Sequence, residues 1–310
     1  MKPGNQSTVT KFILLGLTSD PGLQVLLFLL FLAVYVFTLV GNSLIPVIVW
    51  GSPHLHTPMY FFITQLSFLD LAFSTSISPK MLVDLLTEKK TISFYGCITQ
   101  IYFFSACAST EFFLLAVMAF DRYVAICNPL LYTLTMNKCL CVRLVIGSFI
   151  SGFLHSLIHA TLFYRLYFCG PDIINHFVCD IPVLLKLSCT DISINDLVRF
   201  VCSAIVVATS LVVIFVSYFY IVATILRIGR AGRRRAASTC ISHFTCTFLF
   251  YGSGFLMEMR PHSSSSEEQN KFIAVIPSLV VPALNPLIYS LRNNEVKKAL
   301  KKLLYQPFYF

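Results

Sequence analysis

Charged residues are scarce in this chain, so the few that interrupt apolar stretches are the first candidates for chemistry. Asp121 and Arg122 stand side by side in MAFDRYVAICNP, while Asp70 and Glu111 stand alone in long hydrocarbon runs. A charge at the centre of a bilayer costs about 2.5–3.5 kcal/mol on insertion scales. An adjacent acid and base therefore belong at a membrane edge or perform a task there. Two isolated carboxyls at mid-membrane depth need a proton, a cation or strong hydrogen bonds. Cysteines form the other reactive set: Cys97, Cys169, Cys179 and Cys189 cluster around the segment that follows the fourth apolar run, and seven more are scattered through the chain.

The elements that must position these residues follow from composition. Of 310 residues, 56% are hydrophobic and 12% charged, and 29 are Phe. Soluble chains average about 25% charged residues, and no soluble core hides this much apolar surface, so most of the chain faces lipid. From Pro21 to Pro79 the only formal charge is Asp70, and GSPHLHTP (Gly51 to Pro58) divides the run into two helices. Further apolar segments cover 94–120, 142–164, 197–226, 237–259 and 272–291. A spanning helix needs about 20 residues, which gives seven spans in an all-α bundle. VLLFLLFLAVYVFTLV (Val25 to Val40) is apolar on every face, unlike the strands of a membrane barrel. No internal repeat marks a transporter of duplicated halves.

Positive charge orients the bundle. Arg122, Lys138, Arg143, the run Arg227, Arg230, Arg233, Arg234, Arg235, and the tail Arg292, Lys297, Lys298, Lys301, Lys302 fall on one side, opposed only by Asp121 and Glu295. That side is expected to be cytoplasmic, with the N-terminus outside. The division is an extracellular tail over 1–22, a seven-span domain over 23–291 and a cytoplasmic tail over 292–310. NQS at Asn5 to Ser7 is a glycosylation sequon on the expected outer side, and the first apolar run is expected to be retained as a helix. Cys97, Cys169, Cys179 and Cys189 then meet an oxidising compartment, and two disulfides are expected with all three connectivities open. The other seven cysteines read as small apolar residues. If the third helix enters near Phe94, Arg122 lies about 42 Å further on at 1.5 Å per residue, at the cytoplasmic edge.

At this address the motifs resemble the odorant receptors, within the rhodopsin-like G-protein-coupled receptors. The resemblance rests on MAFDRYVAICNPLLYTLTM, Gly41–Asn42, HTPMYFF (His56 to Phe62), LSFLDL (Leu66 to Leu71), Ser217–Tyr218, RAASTCISHFT (Arg235 to Thr245) and PALNPLIYSLRN (Pro282 to Asn293). It covers nearly the whole chain and departs at Phe120, where most such receptors carry Tyr. It implies a plasma-membrane receptor, not an enzyme, that binds small volatile odorants and raises cAMP through a stimulatory heterotrimeric G protein.

The resemblance also implies roles. Asp121, Arg122 and Tyr123 form a latch in which the acid neutralises the arginine at rest; read as an exposed pair, it is worth about 0.2–1 kcal/mol. Asn285, Pro286 and Tyr289 of NPLIY belong to the switch, and Pro286 permits a kink by removing a backbone donor. Asp70 and Glu111 approach Asn42 and Asn285, either as a protonated pair or around Na+ or water; no other cofactor is expected. The expected disulfides are Cys97–Cys179 and Cys169–Cys189. NNEVKKALKKLL (Asn293 to Leu304) reads as a short amphipathic helix on the inner leaflet. The ligand pocket is expected in the outer half of the bundle, with walls from the third, fifth, sixth and seventh helices. Helical spacing points to Phe104, Ser105, Ala108 and Ser109 on the third helix and Tyr251, Gly254, Phe255 and Glu258 on the sixth. Glu258 either favours cationic ligands or pairs at the surface with Arg260 or Lys271.

Other readings carry less. RIGRAGRRR would suggest nucleic acid in a soluble protein, but here it is a juxtamembrane loop suited to a G protein. HFVCD (His176 to Asp180) resembles a proposed metal motif, against which stands a disulfide at Cys179. Cys240 and His243 share a helical face and could hold a metal. A channel would need repeated polar positions along one pore, and a hydrolase would need HExxH, GxSxG or paired aspartates, none of which occurs. Peptide and amine receptors usually carry a polar anchor in the outer third helix, where this chain has Phe104 and Ser105.

Overall fold

The computed structural model describes residues 10–169, 172–227, 230–258, 267–291 and 294–305, excepting the side chains of 230–239, 258, 267–268, 290–291, 294 and 302–305. Seven helices in it are long and apolar enough to cross a membrane. The chain order is a strand β1 (Lys11–Leu14), α1 (Pro21–Trp50), α2 (Pro58–Leu86), β2 (Thr91–Ser93), α3 (Phe94–Cys127), a single turn α4 (Tyr132–Thr135), α5 (Lys138–Phe163), β3 (Ile173–Ile174) and a short α6 (Ile181–Lys186). Then come α7 (Ser193–Arg227), α8 (Arg230–Glu258), α9 (Glu267–Val275), a π-helical turn over Ile276–Val280, α10 (Val281–Leu291) and α11 (Asn294–Tyr305). The spans are α1, α2, α3, α5, α7, α8 and the α9–α10 unit.

Local chemistry sets the helix starts. Asp20 accepts from the Leu23 amide at 3.1 Å with Pro21 at the first helical position, Ser93 accepts from Gly96 at 3.0 Å, and Asn137 accepts from Leu140 at 2.9 Å. Each side chain satisfies an amide that the first turn leaves without an intrahelical partner. The helices α2 and α3 and the α9–α10 unit are the most buried of the spans, while α1 and α7 turn rows of Leu, Val and Phe outward.

Small residues set the closest approach. A side chain on Gly152 of α5 would place its Cβ 2.1 Å from Thr110 Oγ1 and 2.9 Å from the Ala106 carbonyl of α3. Ser156 Oγ, one turn on, donates to the Tyr102 carbonyl at 2.6 Å. Without hydrophobic drive between helices in lipid, close backbones and interhelical hydrogen bonds hold such a pair together.

The sequence expectation was all-helical, and one end of the bundle departs from it. There β1 pairs antiparallel with β2 (Phe12 opposite Ile92) and parallel with β3 (Leu14 opposite Ile174). Alternation buries Phe12 and Leu14 against Cys97, Ile98, Phe163 and Cys179 and leaves Ile13 exposed. The first described residues are thus tied into the bundle, although four-residue and two-residue strands give little periodicity to read. At the other end α11 buries Val296 and Ala299 and exposes Lys297, Lys298 and Lys301.

Candidate functional site

A cavity of about 270 Å³ opens near the strand-bearing end of the bundle. Phe104 and Ser105 of α3 line it, with His155 and His159 of α5, Arg199 and Ser203 of α7, Met257 of α8 and Asn270 of α9. The segment after β3 covers it with His176, Asp180, Pro182 and Lys186. That segment is fastened by the Cys97–Cys179 disulfide, and a second joins Cys169 to Cys189. Gln100 adds a fixed point: its Oε1 accepts from the Cys179 amide at 3.0 Å and its Nε2 donates to the Ser76 carbonyl at 3.1 Å.

These walls differ from the sequence-derived list. Phe104 and Ser105 line the cavity, Phe104 also stacking on Phe73 with centroids 4.8 Å apart. Ala108 packs in the core below. Ser109 bonds to His155 Nδ1 at 2.8 Å. Tyr251 lies under the cavity, edge-on to Phe112 at 4.8 Å, and Gly254 faces the Phe112 ring. Phe255 points away from the bundle, 64% exposed. The Glu258 side chain and Arg260 lie outside the described residues. The physical reason is the aromatic group Phe112, Phe250 and Tyr251, which fills the bundle where the sixth-helix stripe was expected to meet a ligand. Contributions from α5 and the covering segment were missed, and they make the cavity more polar than expected. The available signal was His155 and His159, two imidazoles at i,i+4 in a stretch, 144–163, with no other ionisable residue.

At the far end of α3, Asp121 is 1% exposed. Arg122 Nε donates to Asp121 Oδ2 at 3.0 Å, and Nη2 bonds to the same oxygen. The Tyr132 hydroxyl of α4 donates to Oδ1 at 2.8 Å. The carboxylate is therefore buried and saturated and its arginine half-buried, not the exposed helix-end pair first expected, because α4 folds under α3 and removes water from the carboxylate. Burial first, and then the Asp121 charge, push the Tyr132 phenol above its ordinary range, so it remains a donor. Asp121, Arg122, His243 and Tyr289 border one small void, and Tyr123 packs between Phe120 and Tyr220. His243 Nε2 donates to the Leu115 carbonyl at 3.1 Å, and Nδ1 meets the Tyr218 hydroxyl at 2.7 Å. Both ring nitrogens of His243 are thus engaged in hydrogen bonds, to Leu115 and Tyr218, and among the described residues no group of three or more His, Cys, Asp or Glu gathers with it and Cys240.

Between the two ends Asn285 donates to both oxygens of Asp70, at 3.1 and 3.0 Å, and also bonds to Glu111. All three are at most 2% exposed. Asn42 bonds instead to backbone carbonyls, Thr38 at 3.1 Å and Pro282 at 3.0 Å, and so ties α1 to the seventh span. Gly41 has Pro286 against it: an added Cβ would come 3.1 Å from the ring. The seventh span is also interrupted earlier, by the π turn that contains Pro277. Cys179 is spent in a disulfide, so HFVCD offers no thiolate to a metal. Asn5 lies outside the described residues.

A small cavity at one end, an acid–arginine pair with a buried carboxylate at the other and a polar cluster between them share α3. A model of the olfactory receptor family matches residues 31–307. The chain is 52% identical over 305 residues to olfactory receptor 5M5 of Mus musculus, covering 98% of this chain and 96% of the relative. It is 50% identical over 301 residues to olfactory receptor 5A2 of Homo sapiens (97% and 93% covered) and 48% over 304 residues to human olfactory receptor 5A1 (98% and 96%). The chain belongs to the olfactory receptor family of G-protein-coupled receptors, multi-pass membrane proteins of olfaction and not enzymes.

Proposed function

We infer that this receptor takes a small odorant into the cavity bounded by Phe104, Ser105, His155, His159 and the covering segment, and answers by raising cAMP through a stimulatory, olfactory-type G protein. The observation that supports this most is the cavity itself: about 270 Å³, mixed in polarity and roofed by a disulfide-fastened segment. Such a space suits a volatile molecule held by dispersion and one or two hydrogen bonds. The strand-bearing end faces outside, and the Asp121–Arg122 end with α11 and its lysines faces the cytoplasm, as the basic residues favour.

A ligand acts by preferring one of two arrangements of the bundle. It bears on α3 at Phe104 and Ser105, and α3 carries the latch at its other end. Outward movement of α8 frees Arg122 from Asp121 for the G protein, with Tyr123, Asn285, Pro286 and Tyr289 repacking. Asp70 and Glu111 hold a shared proton or Na+ through this change, since two bare carboxylates so close would repel. The test is a cAMP readout in cells against a chemically diverse odorant panel. Ser105→Phe should fill the cavity and lose the response, and Arg122→Ala should be silent, both at normal surface level. Full responses in either variant would overturn the reading.

A further inference from the structure

His155 and His159 stand one turn apart on α5 and bring their Nε2 atoms to 3.2 Å. The rings meet edge to face, centroids 4.6 Å apart, and both border the cavity. We propose that these two side chains form a chelating site for a divalent first-row transition-metal ion, with Zn2+ as its simplest occupant. In a tetrahedral zinc site with metal–nitrogen bonds of about 2.0–2.1 Å, two ligating nitrogens stand about 3.3 Å apart. The observed spacing is that bite, set by i,i+4 placement on a rigid helix. Imidazole suits zinc, copper and nickel better than the hard cations.

The surroundings provide what such a ligand pair needs. Ser109 Oγ lies 2.8 Å from His155 Nδ1, and a partner on the second ring nitrogen orients an imidazole and fixes its tautomer. With Nδ1 holding the hydrogen, the Nε2 lone pair is available. At 3.2 Å one Nε2 donates to the other, so one lone pair is already unprotonated. Metal binding needs only the other ring to shift its hydrogen to Nδ1, with no net proton released. Among the described residues no third His, Cys, Asp or Glu completes a ligand set. The remaining coordination positions therefore face the cavity and take water. Arg199 borders the same space and opposes a cation, but Asp196 lies 3.7 Å from its Nε and Asp180 is in the cavity wall.

The test uses full-length receptor in nanodiscs, without odorant, so its result does not depend on the cavity being the odorant site. Zn2+ affinity is measured by competition with a chromogenic chelator, and Cu2+ is used as a spectroscopic probe. Wild type should bind one Zn2+, and Cu2+ should show the electron-spin signature of two imidazole nitrogens. His155→Ala and His159→Ala should each weaken Zn2+ by tenfold or more, and Ser109→Ala by about tenfold. His159→Cys should restore binding, because a thiolate can ligate from the same position, and His176→Gln should change nothing. Cu2+ on wild type without two coordinated nitrogens overturns the site whatever the variants do. So does undiminished Zn2+ binding in the His155→Ala/His159→Ala double variant, or a loss in His176→Gln equal to that in His159→Ala.

Discussion

Removing one oxygen tests the latch most directly. Tyr132→Phe deletes the hydroxyl that donates to Asp121 Oδ1 at 2.8 Å and leaves the ring that packs beneath α3. A hydrogen bond to a charged group contributes about 1.5–3 kcal/mol. Tyr132 is only partly buried, so water can replace some of the lost bond, and the lower figure is the better estimate. Arg122 keeps its own contacts with Oδ2 in the variant, so the latch is weakened and not abolished. If the bond belongs to the resting arrangement alone, losing about 1.5 kcal/mol moves the resting-to-active ratio roughly tenfold toward active. Ligand-free cAMP, normalised to surface receptor, should rise by up to that factor and then saturate. The double variant with Arg122→Ala should be silent, because the freed arginine is the proposed contact. Unchanged or lower ligand-free cAMP in surface-expressed Tyr132→Phe would refute the view that a saturated Asp121 restrains the receptor.

Three further outcomes follow from packing, cross-links and the polar cluster. Gly152→Ala should lower thermal stability of the purified receptor by about 1–3 kcal/mol, since its Cβ meets backbone at Thr110 N (2.7 Å) and Ala106 O (2.9 Å) as well as the Thr110 hydroxyl; an unchanged melting temperature would contradict the α3–α5 contact. Replacing Cys169 and Cys189 by Ser should cost about 3 kcal/mol, given their separation of 20 residues, and unreduced peptides of wild type should yield Cys97–Cys179 and Cys169–Cys189 links; a Cys97–Cys169 peptide would refute the pairing. Raising Na+ should lower ligand-free signalling in wild type but not in Asp70→Asn; equal Na+ sensitivity in both would leave Asp70 and Glu111 with a shared proton.

The division between what could and could not be read in the chain has a physical cause. The seven spans were legible because a helix in lipid must satisfy its own backbone, which makes length and apolarity sufficient signals. The carboxyls and the acid–arginine pair were legible because charge is costly there. Burial of Asp121 was not, because it depends on Tyr132 of α4 arriving from eleven residues away, an encounter that no periodicity of α3 encodes. The cavity wall differs from the expected stripe for a related reason. A 3.6-residue period groups Tyr251, Gly254, Phe255 and Glu258 on one broad arc, yet it leaves the phase of that arc against the bundle open. In α8 the phase turns Phe255 to the outside and packs a half-buried Tyr251 edge-on against Phe112. His155 and His159 were visible as a pair, but α5 carries apolar residues on every side, so their face had no contrast by which to be recognised as inward. What settles that face is Gly152 and Ser156, which bring α5 against α3 at Thr110 and Tyr102 and thereby aim the two imidazoles into the cavity. Small residues in a membrane helix therefore tell more about where its polar side chains point than the polar side chains do themselves.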